Sequence, residues 1–244
     1  MMNNLKIRKY CNCILIIITG LFLSYCVDST IPDTNNNFED KSKFFPLTVG
    51  SWWKYVVSYD PLSEDFDIDS TVVERKIQID GKEAFELISY IKNKNSDEIL
   101  YMDTSYYYKE AGRLYKYMLS SKTNEPEWLL FADFKLDYLK IFEYPISLYI
   151  GQDSLLNGVE KMERFSEGMV KFYLGSKILD CIKTKINVSY SGELNYDNNK
   201  KENYSRIQLI EYQWFAYNVG LARVRWHTND FERTIVDYRI VQEE

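Results

Sequence analysis

Apolar and polar positions alternate along most of the chain after residue 44. In "STVVERKIQI" the alternation sets Val73, Ile77 and Ile79 on one face and Glu74, Lys76 and Gln78 on the other, a period of two that predicts a half-buried strand. "IDGKEAFELISYI" follows, and its Asp80-Gly81 step is a two-residue hairpin signal, because a type I′ turn needs positive φ. Trp52 to Tyr59 is a further strand candidate, entered through Pro46 and Gly50. "EILYMDTSYYYKEAGRLYKYML" predicts strands around a turn at Gly112, and "MVKFYLG", "ILDCIKTKINVSYSGEL", "SRIQLIEYQWFAYNVGLARVRWHT" and "ERTIVDYRIVQ" are strand-like. "EWLLFADFKLDYLKIF" is ambiguous: Leu129, Leu130, Phe134, Tyr138 and Phe142 also fit a helical stripe, which predicts at most a short helix over Asp133 to Phe142.

Strands at this spacing, joined mostly by hairpins, predict a mostly β fold. The expected form is a single antiparallel meander making a curved sheet, half-barrel or sandwich, with at most one or two short helices, over residues 44–244. The C-terminal "IVDYRIVQEE" is expected to close the sheet. Composition agrees: 21 Tyr and 13 Phe against 10 Gly suit a pleated surface, and no repeated βα spacing or Gly-rich phosphate loop appears.

The formal net charge is −6, yet three of the 30 cations (Lys6, Arg8 and Lys9) precede Cys26 while all 36 acidic residues follow it. The body is therefore more acidic than the whole and repels polyphosphate, so nucleic acid is not an expected partner. Of four cysteines, Cys11, Cys13, Cys26 and Cys181, only Cys181 lies in the body, which leaves no internal disulfide downstream of Cys26.

Before Cys26 the chain has a basic opening, "MMNNLKIRKY", and an apolar run, "CILIIITGLFL", of signal-peptide rather than membrane-span length. "LSYC" closes it, with Leu23 three residues before Cys26 and Ser24 two before. This resembles a bacterial lipoprotein signal with its lipobox, departing from it at Tyr25, where a small residue is usual. The resemblance implies a signal peptide over 1–25 and diacylglyceryl thioether attachment at Cys26. Residues 26–43 then form a lipidated cysteine and a polar, Asn-rich tether, whose 17 residues from Val27 to Lys43 would span roughly 20–25 Å r.m.s.. Val27-Asp28 lacks the acidic run that resembles a surface-export signal, which favours an outer-membrane anchor facing the periplasm.

Two stretches resemble an uncharacterised group of bacterial, Bacteroidota-like envelope lipoproteins and secreted β-proteins. "FFPLTVGSWWKY" matches their opening at Phe45, Pro46, Leu47, Gly50, Trp53 and Tyr55. "EYQWFAYNVGLARVRW" matches at Trp214, Ala216, Val219, Gly220 and Leu221, with Phe215 where Tyr is usual and Ala222-Arg223 in place of Val-Lys. "GSKILDCIKTKI" is loosely similar to another of their strands. The resemblance implies a curved antiparallel sheet in the manner of periplasmic lipoprotein carriers, and it carries no catalytic residue.

Candidate chemistry is sparse. His227, the single histidine, could pair with a carboxylate and a Ser or Cys181 nucleophile, but no Gly-x-Ser-x-Gly elbow is present. As a loop histidine beside Asn229-Asp230, and with Cys181 as a small half-buried hydrophobe, neither needs a catalytic role. Asp65, Asp67 and Asp69, beside Glu64, offer hard oxygen ligands for calcium, but Ser70 and Lys76 stand where an EF-hand loop wants Gly and Glu, so a solvated acidic loop is the plainer reading. Zinc lacks soft ligands. Asp-Ser/Thr steps at Asp28, Asp69 and Asp153 look like an O-glycosylation pattern known in Bacteroidota. The aromatics of "SYYYKE" and "EYQWFAY" could line an acyl pocket or stack on sugars, besides forming cross-strand pairs.

The expectation is a non-enzymatic envelope lipoprotein without cofactor, binding a hydrophobic small ligand. The alternatives are an interaction module for envelope proteins or glycans, with a filled core, and, third, a hydrolase. Cys26→Ser should abolish incorporation of labelled fatty acid and release the chain from the membrane fraction. A variant that stays labelled and membrane-bound would overturn the anchor.

Overall fold

The computed structural model describes residues 40–59, 66–94, 96, 98–119, 125–150, 154–196, 200–227 and 230–242. Cys26 and the signal-like leader, Glu64 and Asp65 lie outside them. A 3₁₀ turn, Lys41–Phe44, leads into twelve strands. The first six are β1 (Trp52–Ser58), β2 (Asp67–Ile79), β3 (Lys82–Asn93), β4 (Ile99–Glu110), β5 (Arg113–Leu119) and β6 (Pro126–Asp133). The second six are β7 (Tyr138–Tyr149), β8 (Ser154–Leu174), β9 (Lys177–Tyr196), β10 (Lys201–Ala216), β11 (Gly220–Trp226) and β12 (Glu232–Arg239).

All belong to one antiparallel sheet in the order β6-β5-β4-β3-β2-β1-β12-β11-β10-β9-β8-β7. Each strand pairs with its chain neighbours except at one step, β6 to β7, and the C-terminal β12 closes against the N-terminal β1. The sheet curls into a nearly closed barrel whose seam lies in the middle of the chain. Eight of the eleven strand pairings carry a register shift. Such irregularities bend and twist a strand, which lets a sheet this wide curl on itself.

The expected hairpin at Asp80-Gly81 is present, with φ of 49° and 75°. Two sequence expectations are corrected. The register shift between Val73 and Arg75 moves Ile77 opposite Ala84, whose neighbour Phe85 packs toward the core, so Ile77 and Ile79 point outward while Val73 points in. A strict period of two cannot reveal an extra residue. The segment weighed as a short helix is β6, a turn at Phe134–Asp137, and the start of β7; Leu136 N–H donates to the Asp133 carbonyl at 3.2 Å to close that turn.

One end of the barrel is plugged. Phe44, Phe45 and Leu47 run across it before β1 and are buried. Phe44 packs on Phe134 at 5.7 Å and on Tyr217 at 5.3 Å, and Phe134 meets Phe215 edge-on at 5.0 Å. Burying each such ring stabilises the fold by about 1.5–3 kcal/mol. Trp53, on β1, donates its indole N–H to the Val219 carbonyl in the β10–β11 turn, and the Tyr55 hydroxyl donates to the Leu221 carbonyl at 2.9 Å. Asn218 N–H donates to the Lys43 carbonyl at 2.9 Å. Gly220 sits at φ +102°, and a Cβ there would stand 3.3 Å from Trp53 Nε1 and 3.4 Å from Pro46 Cδ.

Gly220→Ala should therefore cost about 1–3 kcal/mol, since it adds backbone strain and pushes on the Trp53 contact together. The midpoint of urea unfolding reads this directly, and an unchanged midpoint would remove Gly220 from the account of the plug.

Candidate functional site

Above the plug the barrel is not filled. A cavity of about 400 Å³ lies between the β1–β6 wall and the β8–β12 wall, within the usual range for small-molecule sites. Phe45, Trp53 and Phe215 belong to both the plug and the cavity lining. The space arises because inward positions above them are short or flexible, such as Ser89, Ser105, Met118 and Met162.

The β1–β2–β12 part of the wall is polar and carries an ion pair, in which Asp69 Oδ1 keeps no hydrogen-bond partner among the described residues. Arg233 Nε lies 2.6 Å from Asp69 Oδ2, and its guanidinium stacks 3.7 Å over the Tyr55 ring. Arg233 Nη2 also donates to Thr71 Oγ1 at 2.9 Å, and Thr71 shares a hydrogen bond of 2.8 Å with Ser89. Burial pushes the Asp69 carboxyl above its usual pKa against the pull of Arg233, and pushes the Tyr55 phenol well up. Tyr55 is thus a neutral donor.

The opposite wall carries a chain of hydrogen bonds. Trp226 Nε1 donates to Glu211 Oε2 at 2.6 Å, Gln213 Nε2 donates to Glu211 Oε1, and Arg164 Nη2 donates to Gln213 Oε1 at 2.9 Å. Arg164 is 4% exposed. Its guanidinium lies 4.7 Å from the Phe131 ring and 5.3 Å from Phe215, favourable positions for a cation against an aromatic face. Burial pulls it down to about 10, so it remains charged at neutral pH. From β5, Lys116 lines the cavity with its ammonium 5.6 Å from the Tyr107 ring and 5.9 Å from Phe131.

The sequence candidates fall elsewhere. His227 is exposed at the end of β11, its backbone N–H bound to the Ile210 carbonyl at 2.9 Å. Cys181 is buried opposite Ala216 at the plugged end. Six residues of β10 separate those two partner positions, about 20 Å of strand, so no Cys–His pair forms. Asp69 is held by Arg233, Asp67 stands half-buried one pleat further along, and among the described residues no cluster of three or more His, Cys, Asp or Glu could hold a metal. Of the aromatic stretches, Tyr107 and Phe215 line the cavity, while Tyr108 turns outward to stack on Tyr115 at 4.5 Å and meet Trp128 edge-on at 4.7 Å.

Lys116, Arg164, Glu211, Gln213 and Arg233 were not candidates from sequence. A signal for Lys116 does exist: Leu114, Lys116 and Met118 share one parity on β5, so the charge occupies an apolar-face position. Arg164 shares its parity with Met162 in the same way.

No protein-family model matches the chain, and no curated protein matches it. Among solved structures, a protein of Parabacteroides distasonis ATCC 8503, provisionally described as a lipoprotein, shares the fold with a TM-score of 0.50 and 16% identity. The match covers 80% of this chain and 98% of that one. A protein of Bacteroides fragilis NCTC 9343, provisionally described as exported and as having a YmcC-like fold, gives a TM-score of 0.44 at 12% identity over the same shares. At 16% identity the likeness to the Parabacteroides protein is one of fold.

Arg233→Met should strand the Asp69 carboxylate in the wall. A carboxyl whose folded pKa is raised destabilises the fold once it ionises, and losing Arg233 raises this one further. The deficit should be full at neutral pH, about 3–5 kcal/mol. It should shrink as pH falls through the raised pKa toward the ordinary value of 3.8, where the acid is neutral in both states. Unfolding curves across that window test the pair; a deficit independent of pH would assign the loss to packing on Tyr55 instead.

Proposed function

We propose that this protein is a non-enzymatic, lipid-anchored envelope protein whose barrel carries a hydrophobic small ligand. The observation that supports it is the unfilled cavity of about 400 Å³ above an aromatic plug. An interaction module would be expected to fill that volume, since each cavity in a core forfeits packing. A hydrolase needs convergent acid, base and nucleophile with room for a reacting atom, and His227 and Cys181 stand apart.

Transfer into such a site is driven by burial of apolar surface, about 0.8 kcal/mol for each methylene. Association costs of roughly 4–15 kcal/mol oppose it. A ligand with about a dozen methylenes therefore sits near the threshold of useful affinity, and shorter chains fall below it. The anchor and tether read from the sequence would hold the cavity within reach of a membrane that supplies or receives such chains. The periplasmic face of the outer membrane is the placement that fits the missing export signal.

Native mass spectrometry of the full chain, released gently from its envelope, tests this. The expected result is a discrete non-covalent mass in the lipid range that is lost on denaturation. It should be absent from Ser105→Trp, which fills the cavity from β4. No adduct in the wild type, or one unchanged by Ser105→Trp, would overturn the carrier reading in favour of an interaction module.

A further inference from the structure

The charges around Phe131 do not balance locally. Asp69 and Arg233 cancel as an ion pair. Around Phe131 there remain two cations, Lys116 and Arg164, and one carboxylate, Glu211, while Asp67 and Glu160 stand half-buried on the same inner face further from the plug. Glu211 spends its two oxygens on neutral donors, Trp226 Nε1 and Gln213 Nε2. It influences both cations through space without pairing with either within 4.0 Å. Both cations stand within 6 Å of one ring, Phe131. Arg164 Nε and Nη1 are buried with no hydrogen-bond partner among the described residues. Asp103, further up the inner face of β4, is exposed at the mouth, where water screens it.

A local excess of one positive charge against apolar walls raises the potential there more than the same charge would at the surface. Of the two cations, Lys116 is the one that lines the open space; Arg164 is packed between Phe131 and Phe215 and acts as a fixed positive field behind it. Leu87, Met118, Met162, Ile186 and Leu209 supply apolar surface around the rest of the cavity. The volume also bounds the ligand. About 400 Å³ lies toward the lower end of the range for small-molecule sites, a scale that suits a single acyl chain.

We infer that the carried ligand is a single-chain amphiphile with a monoanionic carboxylate head, a long-chain fatty acid by class, and that Lys116 receives the carboxylate inside the barrel. The inference rests on the carrier reading and adds the head-group chemistry to it. A monoanion balances the group around Phe131; a neutral lipid leaves that group at plus one, and a phosphate monoester overshoots it.

The test uses the full chain in isolated envelopes, without ATP or coenzyme A, so that added acids are not esterified. Photoreactive myristate and photoreactive tetradecanol, each with its diazirine near the tail end, are added separately and irradiated, and adducts on cavity peptides are quantified. Myristate should label strongly. Lys116→Met, which keeps the apolar stem, should cut that labelling about tenfold or more and leave tetradecanol labelling unchanged, which also reports that the variant barrel is folded. Lys116→Arg should restore it. Equal labelling by acid and alcohol, or loss of both probes together in Lys116→Met with no rescue by Arg, would overturn the head-group assignment while leaving a hydrophobic carrier. No cavity labelling by either probe would overturn both.

Discussion

The indole of Trp53, reaching from the first strand to the Val219 carbonyl in the β10–β11 turn, is the contact on which the rest of the architecture hangs. It joins two stretches 166 residues apart in the chain. Gly220 lets the backbone come close enough, and Pro46 and Phe45 complete the packing around it. The two motifs that resemble an envelope family are thus two halves of one plug. Their side chains close one end of the barrel, so that the space above becomes a cavity instead of a channel.

Above the plug, the structure keeps charges where a filled core would have none. A buried ion pair is tolerated when each partner has its hydrogen bonds; in the Asp69–Arg233–Thr71 group the charges meet and Thr71 accepts one donor, while Asp69 Oδ1 has no partner among the described residues. The Arg164–Gln213–Glu211–Trp226 chain is satisfied at one end and open at the other, where the guanidinium keeps two idle nitrogens. A low dielectric makes such an arrangement costly unless something completes it. The ion pair at β1, β2 and β12 and the two cations around Phe131 thus stand apart within the cavity.

The seam between β6 and β7 belongs to the same picture. Those edges share no ladder hydrogen bonds, and closure there depends on the turn at Phe134–Asp137 and on packing. Phe131 on β6 meets Arg164 on β8 across the interior, so the residue that supplies the positive field also bridges the open side of the sheet. The positive charge of the cavity and the closure of the barrel therefore meet in one guanidinium. By contrast, the outward cluster of Tyr108, Tyr115, Tyr117 and Trp128 ties β4, β5 and β6 together from the outside.

Period-two alternation, the Asp80-Gly81 step and the aromatic-rich, glycine-poor composition were enough by themselves to determine an antiparallel meander; that its last strand pairs with its first came from the tertiary structure. Those sequence signals are local: a strand's faces and a turn's φ depend on residues adjacent in sequence. The lipobox-like stretch ending at Cys26 is a reading of the sequence alone and lies outside the described residues. The bulge after Val73, which turned Ile77 outward, was not legible, since an extra residue leaves the local pattern looking regular. Nor was the helix-like stripe around Phe134 resolved until β7 found β8. Lys116 and Arg164 looked like any surface charges until curling of the sheet placed β5 opposite β8 and β10. Whether an inward position faces packed rings or open space depends on which strands meet across a barrel, and only the tertiary structure decides that.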